Sequence, residues 1–245
     1  MSIAIVGDLH SNSRETEAVL RRISRAGHSR VIQVGDIGVH WSGLHHLDRY
    51  TEVLGKFLDR FDLQMIFIDG NHDNHLALRA LPLDDEGFGV ISDRLRYAPR
   101  GHRWAEDGVR FGALGGAVSV DQDWRTEGKN WWPEESTTVA DVERLSTEKL
   151  DVLIAHEAPA GVTGLESGLL TPLPELVAWD AWQNRLRIRE AVDATHPALT
   201  FCGHWHQSLT QQLPDSETVV HVLDRDGFEG NAVALTLSDL TVRPL

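Results

Sequence analysis

Five short clusters hold the residues of this chain that are equipped for chemistry. They are "GDLH" (Asp8, His10), "GD" (Asp36), "GNHD" (Asn71, His72, Asp73), "AHE" (His156) and "GHWH" (His204, His206). Their side chains offer carboxylate, amide and imidazole donors. Such oxygen and nitrogen donors suit Mn, Fe, Zn, Co or Ni better than a metal that wants soft thiolates. Taken singly, each cluster has an ordinary reading: a turn with a capping aspartate, a hydrogen-bonded core histidine, a polar hairpin tip. Taken together, every cluster follows an apolar run, so one edge of a sheet would gather them all. In open α/β sheets that edge, at the carboxyl ends of the strands, is where ligands bind.

The elements that must position these residues are legible in the hydrophobic pattern. "SIAIVG", "RVIQVGD" and "LQMIFIDGN" read as buried strands, separated by the helical patterns "SRETEAVLRRISRAG" and "GLHHLDRYTEVLGKFLDRF". That alternation predicts a parallel sheet with crossover helices. Ser13 is the expected cap of the first helix and Gly27 its stop. "RLRYAPRGHRWAEDGVRFGALGG" reads as short antiparallel strands, and "TTVADVERLSTEKL" as a helix capped by Thr138 or Thr137. "DVLIAHEAP" and "PALTFCGHWH" are strands with their loops, flanking the long helix "LPELVAWDAWQNRLRIREAVDAT". The tail, from "SLTQQL" to "LTVRPL", alternates as a terminal meander. No repeat or linker divides the chain, so residues 1–245 are expected to form one domain.

Composition narrows the function classes. The 245 residues carry a formal charge of -14. Such a surface repels phosphate backbones, which argues against extended nucleic-acid binding. The densest basic run, "RLRYAPRGHR", is expected to be a solvated hairpin. The single cysteine, Cys202, permits neither an internal disulfide nor a thiolate zinc cluster. It suits a reducing cytoplasm. The N-terminus lacks the pattern of a signal peptide, and no stretch is long and apolar enough to span a membrane.

The ordered set "GDLH", "GD", "GNHD", "AHE" and "GHWH" resembles the calcineurin-like metallophosphoesterase superfamily, over most of the chain from Asp8 to His206. The resemblance implies an α/β fold. It would be a four-layer α-β-β-α sandwich of two mixed sheets, with a dinuclear metal site at the strand carboxyl ends. It also implies two divalent ions, with Mn foremost among the candidates. Asp8, His10 and His206 would hold one ion, Asn71, His156 and His204 the other, and Asp36 would bridge them. A hydroxide held by the ions would attack phosphorus. His72 would protonate the leaving oxygen or stabilise charge on the transferring group. Asp73 would orient His72 or cap the helix that follows. The substrate would be a small phosphorylated molecule.

The match is to small bacterial and phage members rather than to the Ser/Thr protein phosphatases. Those have Asp-Arg-Gly after the second motif, where this chain reads "GDIGVHWSG". His40 stands in that stretch as a candidate substrate contact. Residues 115–136, "GGAVSVDQDWRTEGKNWWPEES", form a tryptophan-rich loop. It reads either as a buried apolar plug or as a rim over the site, with Arg125 reaching phosphate. In "GHWH", His204 and His206 would share one side of an extended backbone, with Trp205 packing on the other. The expected activity is hydrolysis of phosphate monoesters, diesters or both. Alternatives are cyclic-nucleotide or dinucleoside polyphosphate hydrolysis, nuclease action on short substrates, and a non-catalytic scaffold.

Overall fold

Strands β1 (Ser2–Val6), β2 (Arg30–Gln33) and β3 (Gln64–Phe67) pair in parallel, as the alternating pattern requires. A computed structural model describes residues 1–39, 49–165 and 173–245. Helix α1 (Ser13–Arg25) buries Val19, Leu20 and Ile23. Helix α2 (Arg49–Phe61) buries Leu54 and Leu58. The start of the second helical pattern, with His40, lies outside the described residues. Asn12, not Ser13, caps α1: its side chain accepts the Glu15 N–H. Its amide also donates to Asp226, so the cap is shared with the site described below.

The middle of the chain corrects the antiparallel expectation in part. β4 (Gly89–Ser92) and β5 (Leu95–Tyr97) form one antiparallel pair, and β6 (Arg103–Glu106) and β7 (Val109–Leu114) another. But β5 runs parallel to β3, and β7 runs parallel to β8 (Val152–Ala155). The basic run is not a solvated patch. Arg100 is buried against Asp69, Arg94 pairs with Asp59 and Asp62, and Arg96 with Asp84 and Glu86.

After α4 (Val139–Leu145) and α5 (Glu175–Thr195), β9 (Leu199–Cys202) continues the second sheet. Thr138 caps α4 in a reciprocal capping box with Asp141. The tail is not one meander, because it divides between the sheets. β10 (Leu209–Gln212) and β11 (Val219–Val222) join β9, whereas β12 (Ala232–Thr236) and β13 (Thr241–Pro244) join β1. The result is a seven-stranded sheet, β13-β12-β1-β2-β3-β5-β4, and a six-stranded sheet, β10-β11-β9-β8-β7-β6.

Alternation along the strands builds three apolar layers. Ile3, Ile5, Ile32, Phe111, Ile154 and Phe201 meet between the sheets. The opposite face of the first sheet, Ala4 and Val6, packs on α1 and α2. The outer face of the second, Leu153 and Val220, packs on Leu145 of α4 and Ile188 and Val192 of α5. The fold is therefore α/β with two mixed sheets, layered α-β-β-α. Among the described residues, no helix is long and apolar enough to cross a membrane.

Candidate metal centre

Every one of the five clusters sits just past the carboxyl end of a strand: β1, β2, β3, β8 and β9 in turn. Parallel pairing aligns these ends, so loops distant in sequence meet. His10, Asp36, Asn71, His72, His204 and His206 line one cleft of about 600 Å³. Asp8, Asp36 and His156 lie beneath, with at most 1% of their surface exposed.

Two tight groups emerge among the described residues. Asp8, His10 and His206 offer ligand atoms within 4.8 Å of one another, and so do Asp8, Asp36 and His156. His206 Nε2 lies 3.3 Å from Asp8 Oδ2, and His10 Nε2 lies 3.5 Å from Asp36 Oδ2. On the other side His156 Nε2 is 3.4 Å from Asp36 Oδ1 and 3.1 Å from Asn71 Oδ1. The two oxygens of Asp36 thus face different donor sets.

Two of the remaining ring nitrogens are already committed. His156 Nδ1 lies 2.8 Å from the Val34 carbonyl oxygen, leaving Nε2 for the cleft. His10 Nδ1 lies 3.2 Å from Asp226 Oδ1. Such outer partners fix the tautomer and direction of a ligating histidine. His204 differs from the rest. Its Nε2 faces Glu157 at 3.7 Å, its backbone N–H donates to Asp8, and it belongs to neither tight group.

The electrostatics follow from this packing. Burial opposes protonation of His10, but Asp226 and Asp36 outweigh it and push its pKa up to about 11. Burial likewise opposes His156, and Asp36 carries it up to about 10. Burial, helped by neighbouring His156, drives His204 the other way, well below the imidazole range. The carboxylates therefore concentrate negative potential where imidazole nitrogens converge, and a divalent cation would answer the same field.

The backbone is shaped for this crowding. A Cβ on Gly70 would lie 2.1 Å from Asp36 Oδ1, and one on Gly203 would lie 2.1 Å from Asp8 Oδ1. Gly35 likewise leaves room for His156, so these motif glycines admit the ligands of other motifs. His10, Asp36, His204 and His206 hold left-handed φ values of 45°, 57°, 67° and 49°. Strain of this kind is sparse in proteins and gathers at functional sites. It also corrects the extended reading of "GHWH": the two histidines reach the cleft through left-handed turns. Trp205 does pack, donating from Nε1 to Glu157 at 2.7 Å, yet it also lines the cleft.

Asp73 does not cap the helix that follows. Its carboxylate accepts the backbone N–H groups of Asp36, Gly38 and Gly70, clamping two motif loops together. The cap of the following helix α3 (His75–Arg79) is Asn74. The tryptophan loop divides its roles. Trp132 is buried while Trp124 is 89% exposed, so the loop is not simply a plug. Arg125 reaches His72, its Nη2 lying 2.7 Å from Nδ1, and it pairs with Asp121. Asp226 and Glu157 escaped the sequence reading. "LDRDG" lacks a glycine-led motif, although the glutamate of "AHE" stood in plain view.

The donor set fits a pair of divalent ions. It offers carboxylates, imidazoles and one amide oxygen at spacings of 3.1–3.5 Å, with the outer nitrogens of His10 and His156 already bonded. Comparison with known proteins agrees. Residues 1–222 match the calcineurin-like phosphoesterase superfamily domain, and the chain belongs to that superfamily. Its fold is similar to the crystal structure of TT1561 of Thermus thermophilus, with 13% identity, a TM-score of 0.63, and coverage of 99% of this chain and 96% of that one. It is also similar to a dimetal phosphatase from Danio rerio, with 11% identity, a TM-score of 0.56, and coverage of 97% and 92%. A third similar structure is GAP50, the anchor in the inner membrane complex of Plasmodium, with 10% identity, a TM-score of 0.51, and coverage of 96% and 80%. At these identities the likeness is one of fold. No curated protein matches the chain.

Proposed function

We propose that this chain is a metal-dependent phosphoesterase acting on small phosphate monoesters or diesters. The observation that carries the reading is the divided Asp36 carboxylate, Oδ2 toward His10 and Oδ1 toward His156. Asp8, His10 and His206 would hold one ion, and Asn71, His156 and His204 the other, with Asp36 shared. Asp8 also belongs to both tight groups. When bound, such ions would acidify a water and polarise the phosphoryl group. Carboxylate, amide and imidazole donors of this kind accept Mn, Fe, Zn, Co or Ni, and Mn stands foremost on the family resemblance alone.

The chain's own residues supply the rest. Asp226 and the Val34 carbonyl hold His10 and His156 in register. His72 overhangs Asp36, its Nε2 at 4.0 Å from Oδ2. Burial and the adjacent Arg125 lower its pKa, while Asp36 works against them. His72 would carry the proton to the leaving oxygen. Arg125, whose guanidinium only donates, would supply fixed positive charge beside the transferring group. The single thiol, Cys202, is fully buried and takes no part, in keeping with a reducing cytoplasm.

The test is a panel of aryl monoesters and diesters, cyclic nucleotides and dinucleoside polyphosphates with Mn(II), alongside metal analysis. Turnover should vanish on chelation. His72→Ala should keep its metal and lose about 10²–10⁴-fold in rate on esters with poor leaving groups. Bound metal with no turnover across the panel would favour a scaffold instead.

A further inference from the structure

The chemistry above uses only the floor of the cleft. Its volume of about 600 Å³ is far more than a phosphate group needs. Its two sides differ. Beside His10 stand Asn12, Arg225 and Asp226, and the Asp226 carboxylate joins His10 to Asn12. Beside Asn71 and His204 stand Val120 and Trp205, backed by Leu165 and Ala181. Asn71 donates to Ser119, the neighbour of Val120, at 3.0 Å. Val118, Val177 and Ala181 pack behind.

Val120 remains 39% exposed in this position. Apolar surface left open beside a charged centre gains nothing until something covers it. The rim repeats the pattern. Trp124, Trp182 and Phe228 are 89%, 44% and 51% exposed. Each lies within a few residues of a lining residue: Asp121, Ala181 and Arg225. The Arg225 guanidinium stands 4.7 Å from the Phe228 ring centre, and Arg225 is itself a lining residue.

We propose that the cleft takes a phosphodiester bearing a planar group of nucleoside size, its ring against Val120 and Trp205 and its phosphate over the metal ligands. This rests on the phosphoesterase reading and specifies its substrate. A sugar phosphate would leave the apolar side uncovered. A long nucleic acid would meet a chain with a net charge of -14, so the substrate is a small diester rather than a polymer.

The experiment compares the p-nitrophenyl diesters of thymidine 5′-phosphate and of methyl phosphate, which share a leaving group, on the Mn(II)-loaded protein. kcat/KM should be at least about 10-fold higher for the thymidine ester, the scale of one base–aromatic stack. Val120→Asp, at an exposed position, and Trp205→Ala should each bring that ratio toward one, with metal content measured in parallel. A ratio within about 2-fold of one in the wild type, or a preference that neither substitution moves, overturns the inference. Turnover of monoesters alone overturns the diester inference. Should neither these diesters nor any ester of the wider panel turn over, the phosphoesterase reading fails on its own. Calorimetry then decides the inference. Thymidine 5′-monophosphate binding at least about 10-fold tighter than inorganic phosphate supports it, and equal binding overturns it.

Discussion

Asp36 and Asp69 make an instructive pair. Each follows a parallel strand, each is 1% exposed, and each has histidine for company. Around Asp69 the carboxylate finds its partners within the protein. Arg100 Nη2 lies 2.6 Å away, the Tyr97 hydroxyl donates at 2.9 Å, and His75 Nδ1 is at 3.2 Å. Arg100 also donates to the carbonyls of Glu135 and Ser136. Burial opposes ionisation of Asp69, but Arg100 and His75 prevail and hold it well below the carboxylate range. Around Asp36 the imidazole nitrogens stand at 3.4–4.0 Å, longer than a good hydrogen bond, while the His72 backbone N–H donates to Oδ1 at 2.7 Å. A buried charge survives only when paired. Asp69 has its partner in the chain, while the donors around Asp36 are arranged for a partner that the chain does not supply. Closed clusters hold folds, and open ones hold ligands.

Substitutions can break this contrast. The largest effect is expected at Asp36. Asp36→Asn should lose metal, measured by elemental analysis, and about 10³-fold or more in turnover, beyond the loss of one transition-state donor. Its unfolding in denaturant should change far less.

Asp69→Asn should do the reverse. It should keep its metal and lose about 3–5 kcal/mol in denaturant unfolding, because Arg100 is left buried without its carboxylate. The pH dependence has a definite sign. A depressed folded pKa contributes stability above the unfolded value of about 3.9, and that contribution is lost as pH falls through the folded pKa. The gap between wild type and Asp69→Asn should therefore be widest at neutral pH and narrow below about pH 4.

Two outer partners grade the open cluster more finely. Asp226→Asn should weaken metal binding about 10–100-fold in titration calorimetry, because it releases His10. Glu157→Gln should cost less than about 10-fold. Its Oε2 stands 3.7 Å from His204 Nε2, beyond hydrogen-bond reach, and its other oxygen stays bonded to Trp205. An equal loss at both would erase the distinction between a bonded and an unbonded outer partner.

Much of this was open to reading in the chain. Apolar runs ending in Gly-Asp, Gly-Asn or Gly-His marked strand ends, and Asp8, Asp36, Asn71, His156 and His204 occupy those ends. Other features were hidden because they depend on partners remote in sequence. Arg100 looked like part of a solvated basic run, since nothing local shows that Asp69 awaits it. Asp73 looked like a cap, since its three N–H donors come partly from the loop after β2. Asp226 reaches His10 across 216 positions.

By itself, the sequence determined which groups carry chemistry and that they stand at strand ends. Residue type and hydrophobic period are local properties. Only the tertiary structure decided which oxygen of Asp36 faces which histidine, which ring nitrogens are spent on Asp226 and Val34, and that Val120 and Trp205 wall the cleft. Those outcomes depend on the pairing of strands far apart in the chain and on glycines that let one motif press against the next. Such contacts exist only once the sheets have assembled.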